Sequence, residues 1–436
     1  MNGYLTALAT ALQGLFTRTA QALGHATGFI RRQRLLTACS FAQTLVFRWS
    51  AKPKTTLEAL ARELNVSPQA LQQRLGPTAQ AFLRALLVEA LQQALKVPPQ
   101  RLGLLDRFRA VILDDTTVIA LPAHLADQFP GCGGGTAAGE GAAALKILLR
   151  WDVRSGEVLA LSVHAGRTSD QELAATAADL PQDALHLADQ GFFNTERWRA
   201  FSSRQFWISR VPARTRVCWQ GVWQSLSTLL AAVPGDEFDG AIQLVEQTAL
   251  SCRLVARRCP EEVANRRRQK LRAYTRRKKG REPSAVQLQM CDWLVFATNT
   301  TVEQLGATDV WVVYRCRWQI ELLFKRAKSL SGWGSSRGQS GARVLVELYA
   351  KLLGVLVVHW SALLGGGPLN GISLWKRWCE VQEFACRLQY SLTRGAAAVG
   401  EVLARLMRQL AAIRPQPKTQ KNPSTRQLLL NPKLAG

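Results

Sequence analysis

The stretch FRAVILDDTTVIALP, residues 108–122, marks the point at which the hydrophobic pattern of the chain changes. It is a β-branched run interrupted by two acids, a pattern typical of a central strand. LKILLRWDV and EVLALSVHA follow, joined at Arg154-Ser155-Gly156, which is a hairpin signal. A helical SDQELAATAADL and a short strand, ALHLADQGFF, come next. The order strand, hairpin, helix, strand predicts a mixed α/β sheet.

Composition and charge indicate a globular protein with a polyanionic partner. The 436 residues are 47% hydrophobic and 20% charged, and 56 Lys and Arg against 31 Asp and Glu give a net charge of +25. Such an excess favours nucleic acid as the partner over a merely solvated basic surface. The nine scattered Cys predict reduced cytosolic thiols and no metal site of Cys or His. The apolar run 352–364 is too short to span a bilayer, so no membrane association is expected.

The region before the first strand, residues 1–105, reads as helical. Within it TTLEALARELNVSPQALQQRL, residues 55–75, predicts two helices with a short turn, and Ser67 caps the second helix ahead of Pro68. This pattern resembles a helix-turn-helix, and a plain helical hairpin is the alternative. In the first case four polar side chains are available to a DNA groove: Gln69, Gln72, Gln73 and Arg74.

A basic segment occupies the second half of the irregular region 201–291. Thirteen Lys and Arg stand between Arg253 and Arg281 against two acids, with RRRQKLRAYTRRKKGR, residues 266–281, at the centre. A solvated helix is one reading, and a DNA-backbone contact is the one we favour because so much like charge needs a counter-surface. The Gly-rich segment 131–144 lacks a phosphate-binding frame and is predicted to be a connector. The chain returns to strand at 292–300, is helical from 340 to about 412, and ends in a tail, 414–436, expected to be extended.

Four carboxylates stand where an isolated acid is hard to explain. Asp114 and Asp115 follow a strand, Asp189 ends another, and Glu321 lies in the basic stretch YRCRWQIELLFKRAK, residues 314–328. Acids at the ends of neighbouring strands converge at one edge of a sheet, and a helix packed there adds a third carboxylate. Such acids repel one another unless cations neutralise them, and two magnesium ions about 3.5–4 Å apart would do so and cut a phosphodiester.

The stretch 314–328 is predicted to be one amphipathic helix. At about 100° per residue, Tyr314, Arg317 and Lys328 lie within about 40° of Glu321, beside an apolar stripe. The alternative is that Glu321 only makes ordinary ion pairs with Arg317 and Lys325. The strand-end acids upstream favour a functional role for Glu321.

These residues together resemble the insertion-sequence-4 family of bacterial transposases. The spacing Y-x2-R-x3-E-x6-K in 314–328 matches the signature of that family. DTTVIALP, residues 115–122, resembles its first Asp block, and LADQGFF, residues 187–193, resembles its second. The spacing also agrees, with 74 residues from Asp115 to Asp189 and 132 more to Glu321. The likeness extends from the helix-turn-helix-like segment to VELYAKLLGVLVVHW after the Glu.

The resemblance implies a DNA transposase that cleaves the 3′ ends of its element and joins them to target DNA. Asp115, Asp189 and Glu321 would be the catalytic metal ligands, for two Mg²⁺ ions or Mn²⁺ as a substitute. Tyr314, Arg317 and Lys328 would contact the DNA. Between the adjacent acids we choose Asp115, since it precedes Thr116-Thr117 at the offset of the family. The family also implies double-stranded DNA as partner, a homodimer in the DNA complex and a cytoplasmic, nucleoid-associated location in a bacterium.

The expected fold is a ribonuclease-H-like α/β core interrupted by a β-rich insertion, with helical regions at both ends. A related ribonuclease-H-like nuclease that does not join DNA is the nearest alternative function, and a non-catalytic helix-turn-helix regulator is another. The expected domains are the helical DNA-binding region 1–105, the core in two parts, 106–200 and 292–365, the basic β-rich insertion 201–291, and the C-terminal helical region with its tail, 366–436.

Overall fold

The computed structural model describes most of the chain as helices and strands, over residues 2–32, 35–132, 142–201, 204–333, 338–414 and 423–435. The α-helices are, in chain order, α1 Asn2–Gly14, α2 Ala20–Ala26, α3 Ala38–Ala51, α4 Leu57–Glu63, α5 Pro68–Arg74, α6 Pro77–Gln92, α7 Asp170–Leu173, α8 Thr195–Phe201, α9 Leu226–Ala232, α10 Glu261–Lys279, α11 Ala285–Gln289, α12 Ala307–Tyr314, α13 Trp318–Ser331, α14 Gly341–Ala362, α15 Leu374–Leu392, α16 Ala396–Ala412 and α17 Thr425–Leu430. The strands are β1 Ala110–Leu121, β2 Ala143–Asp152, β3 Val158–Ala165, β4 Ala184–Ala188, β5 Phe206–Arg210, β6 Arg216–Trp219, β7 Val222–Ser225, β8 Glu237–Leu244, β9 Leu250–Arg258 and β10 Trp293–Thr298.

The described strands form one mixed sheet in the order β3-β2-β1-β4-β5-β10-β9-β8-β6-β7. β4 is parallel to β1 and to β5, whereas β10 is antiparallel to β5 and to β9. The predicted mixed α/β fold is therefore confirmed. The strands of the basic region, β6 to β9, are antiparallel to their neighbours and continue the sheet beyond β10. The expected domain boundaries stay a prediction.

The chain divides into two compact units, and the first is mostly helical. It comprises residues 1–100, 116–167 and 320–422. Its central helix, α14, is buried along nearly its whole length, and it packs against α3, α6 and α15. Gly354 permits one close approach, since a Cβ there would lie 2.3 Å from the hydroxyl of Ser50. In the same unit β2 and β3 form the predicted hairpin, with Gly156 at a φ of +77° in the turn.

The helix-turn-helix-like segment also lies in the first unit. The structure confirms two short helices, α4 and α5, and the Ser67 side chain accepts a hydrogen bond from the Ala70 amide as the predicted cap. The two helices contact each other, and Leu60, Leu64 and Leu71 are buried. Their packing fits a helix-turn-helix and a helical hairpin equally, so the DNA contact stays a prediction.

The second unit holds most of the sheet. It comprises residues 101–115, 168–319 and 423–436. Its parallel strands are β1, β4 and β5. Trp198 of α8 stacks on Trp207 of β5 with ring centroids 4.4 Å apart. Hydrophobic burial of such large rings supplies much of the driving force for folding of the unit.

The C-terminal tail differs from expectation. It is not extended over its described part, 423–435, because Ser424 and Gln427 form a capping box that starts helix α17. Leu428 and Leu429 of this helix are buried. A Cβ on Gly103, at a φ of +58°, would lie 2.6 Å from the Leu429 carbonyl oxygen. The segment is therefore closely packed. Much of the Gly-rich connector, 133–141, and of the tail, 415–422, lies outside the described residues. Where the structure describes helices, none is long and apolar enough to cross a membrane.

Candidate active site

Two of the predicted carboxylates lie at matching positions on neighbouring strands of the second unit. β1 and β4 pair in parallel from Ala110 opposite Ala184 to Leu113 opposite Leu187. The same register, continued by two residues, brings Asp115 level with Asp189. Adjacent strands are about 4.8 Å apart, and residues at one level point to the same face of a sheet. The backbone therefore presents Asp115 and Asp189 side by side.

Arg210 continues this row on the next strand. β4 and β5 also pair in parallel, with Ala188 opposite Ser209, so Arg210 is level with Asp189. Sequence reasoning missed Arg210. A cation directly after the apolar strand FWIS, at the same strand-end position as Asp189, was the signal that could have found it.

The neighbouring acid, Asp114, points to the opposite face of β1, because side chains alternate along a strand. It is fully buried, accepts a hydrogen bond of 3.0 Å from the Ala175 amide, and lies 3.4 Å from Nε2 of buried His186. Asp115, by contrast, keeps 20% of its side chain exposed. This difference favours Asp115 over Asp114 as the residue available to a ligand.

Tyr314 contacts the second carboxylate. Its hydroxyl donates to the Ala188 carbonyl at 3.2 Å and to Oδ1 of Asp189 at 3.4 Å. Burial, reinforced by the charge of Asp189, raises the pKa of the Tyr314 phenol well above its usual value. The hydroxyl therefore stays protonated and can act as a donor at neutral pH. The predicted contact of Tyr314 with DNA stays a prediction, because the hydroxyl is hydrogen-bonded to Ala188 and Asp189.

Arg317 contacts the first carboxylate. Its Nη1 lies 4.0 Å from Oδ2 of Asp115, and its guanidinium carbon lies 5.9 Å from the ring centroid of Tyr314. The two signature residues that belong to the second unit, Tyr314 and Arg317, thus each contact one carboxylate of the pair.

The prediction of one continuous α-helix over 314–328 is wrong. α12 ends at Tyr314, the 3-10 turn Arg315–Arg317 follows, and α13 begins at Trp318. Backbone angles stay helical through the turn, but its period tightens to about 3 residues per turn. Cys316 in the middle of the turn is fully buried.

The remaining two predicted site residues belong to the first unit. Glu321 is half-buried in the first turn of α13. Lys328 lies near the end of the same helix, where its ammonium donates to the Val118 carbonyl at 3.2 Å. Partial burial lowers the pKa of the Lys328 amine. Glu321 and Lys328 share one helix, as predicted, whereas Tyr314 and Arg317 precede it.

The donor chemistry of these acids suits a divalent cation. Asp115 and Asp189 offer two adjacent carboxylates, and hard oxygen ligands are those that Mg²⁺ and Mn²⁺ prefer. Over the residues that the structure describes, no three His, Cys, Asp or Glu side chains form a group that could hold a metal ion. The assignment of Asp115, Asp189 and Glu321 as a joint ligand set stays a prediction.

A basic, partly aromatic cavity adjoins Tyr314 within the second unit. Its volume is about 370 Å³. Trp311 and Phe296 line one side, with their ring centroids 5.0 Å apart. The cavity is also lined by four arginines: Arg210, Arg257, Arg258 and Arg315. Cations around aromatic rings suit a polyanion whose bases can stack.

Known proteins resemble this chain over most of its length. Residues 106–357 match the family described as Transposase DDE domain. Over 417 residues the chain is 24% identical to the transposase for insertion sequence element IS231C of Bacillus thuringiensis subsp. berliner, covering 88% of this chain and 86% of that protein. It is 23% identical over 366 residues to the transposase for IS1151 of Clostridium perfringens, covering 76% and 74%. Over 106 residues it is 33% identical to the putative transposase InsL for IS186A of Escherichia coli (strain K12), covering 24% and 28%.

The mixed α/β sheet with paired carboxylates on adjacent strands is consistent with the class of DDE transposases. The match over residues 106–357 defines the family. The chain belongs to the transposases with a DDE domain. It is therefore an enzyme of a family that depends on a divalent metal ion, and the resemblance inferred from its sequence is confirmed at this level. The Tyr-Arg-Glu-Lys signature itself stays a prediction.

Proposed function

We propose that this transposase binds the ends of its insertion sequence, cleaves the DNA, and joins the 3′ ends to target DNA, with Asp115, Asp189 and Glu321 as metal-binding carboxylates. The observation that carries the proposal is the β1–β4 register, which supports a side-by-side pair of Asp115 and Asp189. Two carboxylates this close repel each other unless a cation lies between them. Glu321 is assigned as the third ligand because its position matches the spacing of the family signature.

Each carboxylate of the pair has a positioning partner. Tyr314 donates to Asp189 and to the backbone carbonyl before it, so it limits rotation of that carboxylate. Arg317 faces Asp115 at 4.0 Å and offsets its charge. A guanidinium has donors beyond those that one carboxylate uses. Arg317 can therefore turn toward a scissile phosphate as Asp115 binds cations.

Bound divalent ions would activate the attacking water or 3′-hydroxyl and neutralise the charge that develops on the leaving oxygen. The protein itself holds the DNA strand against the pair. Arg210 and Arg317 flank the carboxylates, and Lys328 reaches β1 three residues beyond Asp115. We assign all three to phosphate contacts, which position the strand without reading its sequence.

The finer features of the fold and assembly belong to the same proposal. The core is of the ribonuclease-H-like kind, residues 201–291 are its basic β-rich insertion, and α4 and α5 help to bind the ends. Double-stranded DNA is the partner, Mg²⁺ acts as a pair of ions that Mn²⁺ can replace, and the protein works as a homodimer on DNA in the bacterial nucleoid. The net charge of +25 supports a close association with DNA.

A cleavage and joining assay tests the proposal. The substrate is duplex DNA with the inverted repeats that flank the gene, incubated with supercoiled target DNA and Mg²⁺ or Mn²⁺. We expect cleavage at the repeat ends followed by joined product. Asp189→Ala and Glu321→Ala should abolish both, whereas Glu401→Ala, an exposed acid on α16, should not. Full activity in either catalytic variant contradicts the ligand assignment, and cleavage without joining indicates a nuclease.

A further inference from the structure

Helix α10, Glu261–Lys279, is the most basic element of the chain and is not part of the carboxylate site. Its 19 residues include EEVANRRRQKLRAYTRRKK, with acids only in the first turn. At 1.5 Å per residue the helix is about 28 Å long, close to one turn of duplex DNA, which is about 34 Å. It ends at Gly280, whose φ of +60° stops the helix.

One face of α10 contacts the start of β10 and the turn before it. Arg267 donates to the Trp293 carbonyl at 2.8 Å, and Arg268 forms an ion pair with Asp292. Ala264 and Thr275 are buried on the same side. These contacts fix the orientation of the helix and determine which residues face outward.

The outward face carries two rows of exposed cations. At about 100° per residue, members of each row lie within about 60° of one another, and the rows are about 130° apart. Gln269 and Ala273, both exposed, form a ridge of shorter side chains between the rows. The first row is Arg266, Lys270 and Arg277, and the second row is Arg272, Arg276 and Lys279.

These cations have little compensating charge. Arg266 pairs with Glu262 and Arg276 with Glu282, and all four side chains are more than half exposed. Such exposed pairs contribute little and are easily exchanged for another anion. The other four members form no ion pair with any acid in the described ranges of the chain: Lys270, Arg272, Arg277 and Lys279.

We propose that α10 lies in the major groove of duplex DNA, with its ridge toward the base pairs and each row on the phosphates of one strand. The proposal rests on the proposed function, because the duplex is the substrate of the transposase. A helix is about 10–12 Å across, which fits the major groove of about 12 Å and not the minor groove of about 6 Å. A helix lying along one backbone would use only one row.

Salt-dependent DNA binding distinguishes these arrangements. Fluorescence anisotropy measures the affinity for a labelled end duplex, without divalent metal, at a series of KCl concentrations. Three phosphate contacts contribute about 2.7 to the slope of log affinity against log salt, so removing either row should lower the slope by about 2.7. The first-row variant is Arg266→Gln, Lys270→Gln and Arg277→Gln, and the second-row variant is Arg272→Gln, Arg276→Gln and Lys279→Gln. The charge-matched control is Arg394→Gln, in the turn between α15 and α16, with Arg405→Gln and Arg408→Gln on α16.

The groove itself is tested without changing charge. Ala273→Phe places a bulky ring on the ridge and should weaken duplex binding, whereas Ala397→Phe, at an exposed position on α16, should not. Methylation of guanine N7, which lies in the major groove, should reduce binding of the wild-type protein and not of the Ala273→Phe variant. A slope change for only one row, or normal binding by Ala273→Phe, overturns the proposal.

Failure of this inference is separable from failure of the proposed function. Circular dichroism and thermal melting confirm that each variant is folded before binding is measured. If Asp189→Ala abolishes cleavage while both row variants bind like the charge-matched control, only the major-groove inference falls. If Asp189→Ala still cleaves DNA, the proposed function is wrong. The salt-dependence slopes of the row variants still test whether α10 lies in the major groove.

Discussion

The adjacent acids Asp114 and Asp115 face opposite sides of β1, so we expect Asp114→Asn and Asp115→Asn to fail in different ways. Asp115→Asn should abolish cleavage with little effect on stability. Its carboxylate is 20% exposed and its partner Arg317 lies 4.0 Å away. At that distance the two groups are beyond hydrogen-bond reach, so the isosteric amide removes only their coulombic attraction.

Asp114→Asn should leave cleavage largely intact and lower stability. The buried carboxylate accepts the Ala175 amide at 3.0 Å and faces His186. A hydrogen bond to a charged group contributes about 1.5–3 kcal/mol and a neutral one about half of that. The substitution therefore costs about 1–2 kcal/mol, which lowers the Tm by roughly 2–8 °C for a unit of this size.

Single-turnover cleavage of the end duplex and thermal melting by circular dichroism measure the two effects. Asp127→Asn, at an exposed position, controls for the loss of one carboxylate elsewhere. The reasoning is refuted if Asp114→Asn loses cleavage at an unchanged Tm while Asp115→Asn remains active. That result would place Asp114 at the reacting phosphate. It would also mean that β1 pairs with β4 in a register shifted by one residue from the one in the structure.

Three further predictions concern other parts of the molecule. Tyr314→Phe should slow single-turnover cleavage by about tenfold, because loss of one hydrogen bond to Asp189 costs about 1–1.5 kcal/mol; an unchanged rate would show that the hydroxyl does not position the carboxylate. Leu429→Ala should reduce the free energy of unfolding in urea by about 2–5 kcal/mol, because its side chain is 1% exposed; a change below about 0.5 kcal/mol, typical of surface sites, would mean that α17 is not packed. Burial lowers the pKa of His359 to about 4, so its neutral form stabilises the fold above pH 6.5 and this stability is lost as the pH falls from 6.5 to 4. His359→Gln, which can still donate to the Gly156 carbonyl, should flatten the Tm over that range, and an unchanged pH dependence would contradict the assignment.

Local signals of the sequence predicted much of the secondary structure. Arg154-Ser155-Gly156 forms the hairpin turn, and Ser67 caps α5 ahead of Pro68, because both depend only on neighbouring residues. The capping box of Ser424 and Gln427 is an equally local signal. The Pro-, Lys- and Asn-rich composition of the tail predicts an extended chain, and the capping box overrides this preference over the described part.

The turn at Arg315–Arg317 could not be predicted in the same way. The residues of the turn have ordinary helical propensities, and the backbone angles stay in the helical region. Cys316 in the turn is fully buried, and its burial depends on the packing of the whole unit and not on the local sequence. The prediction of one continuous α-helix from Tyr314 to Lys328 therefore failed at the turn, although Glu321 and Lys328 lie on one helix.

The spacing between the two aspartates equals the pairing offset between strands β1 and β4. The 74 residues between Asp115 and Asp189 are also the offset between paired residues of β1 and β4, from Ala110 and Ala184 onward. Sequence reasoning could place both acids at strand ends, but the offset has meaning only once the two strands are known to be parallel neighbours. The same pairing assigns Asp114 to the opposite face. A change of this register by one residue would exchange the roles of the two acids, so the buried contacts of Asp114 with Ala175 and His186 help to fix the register on which the proposed metal site depends.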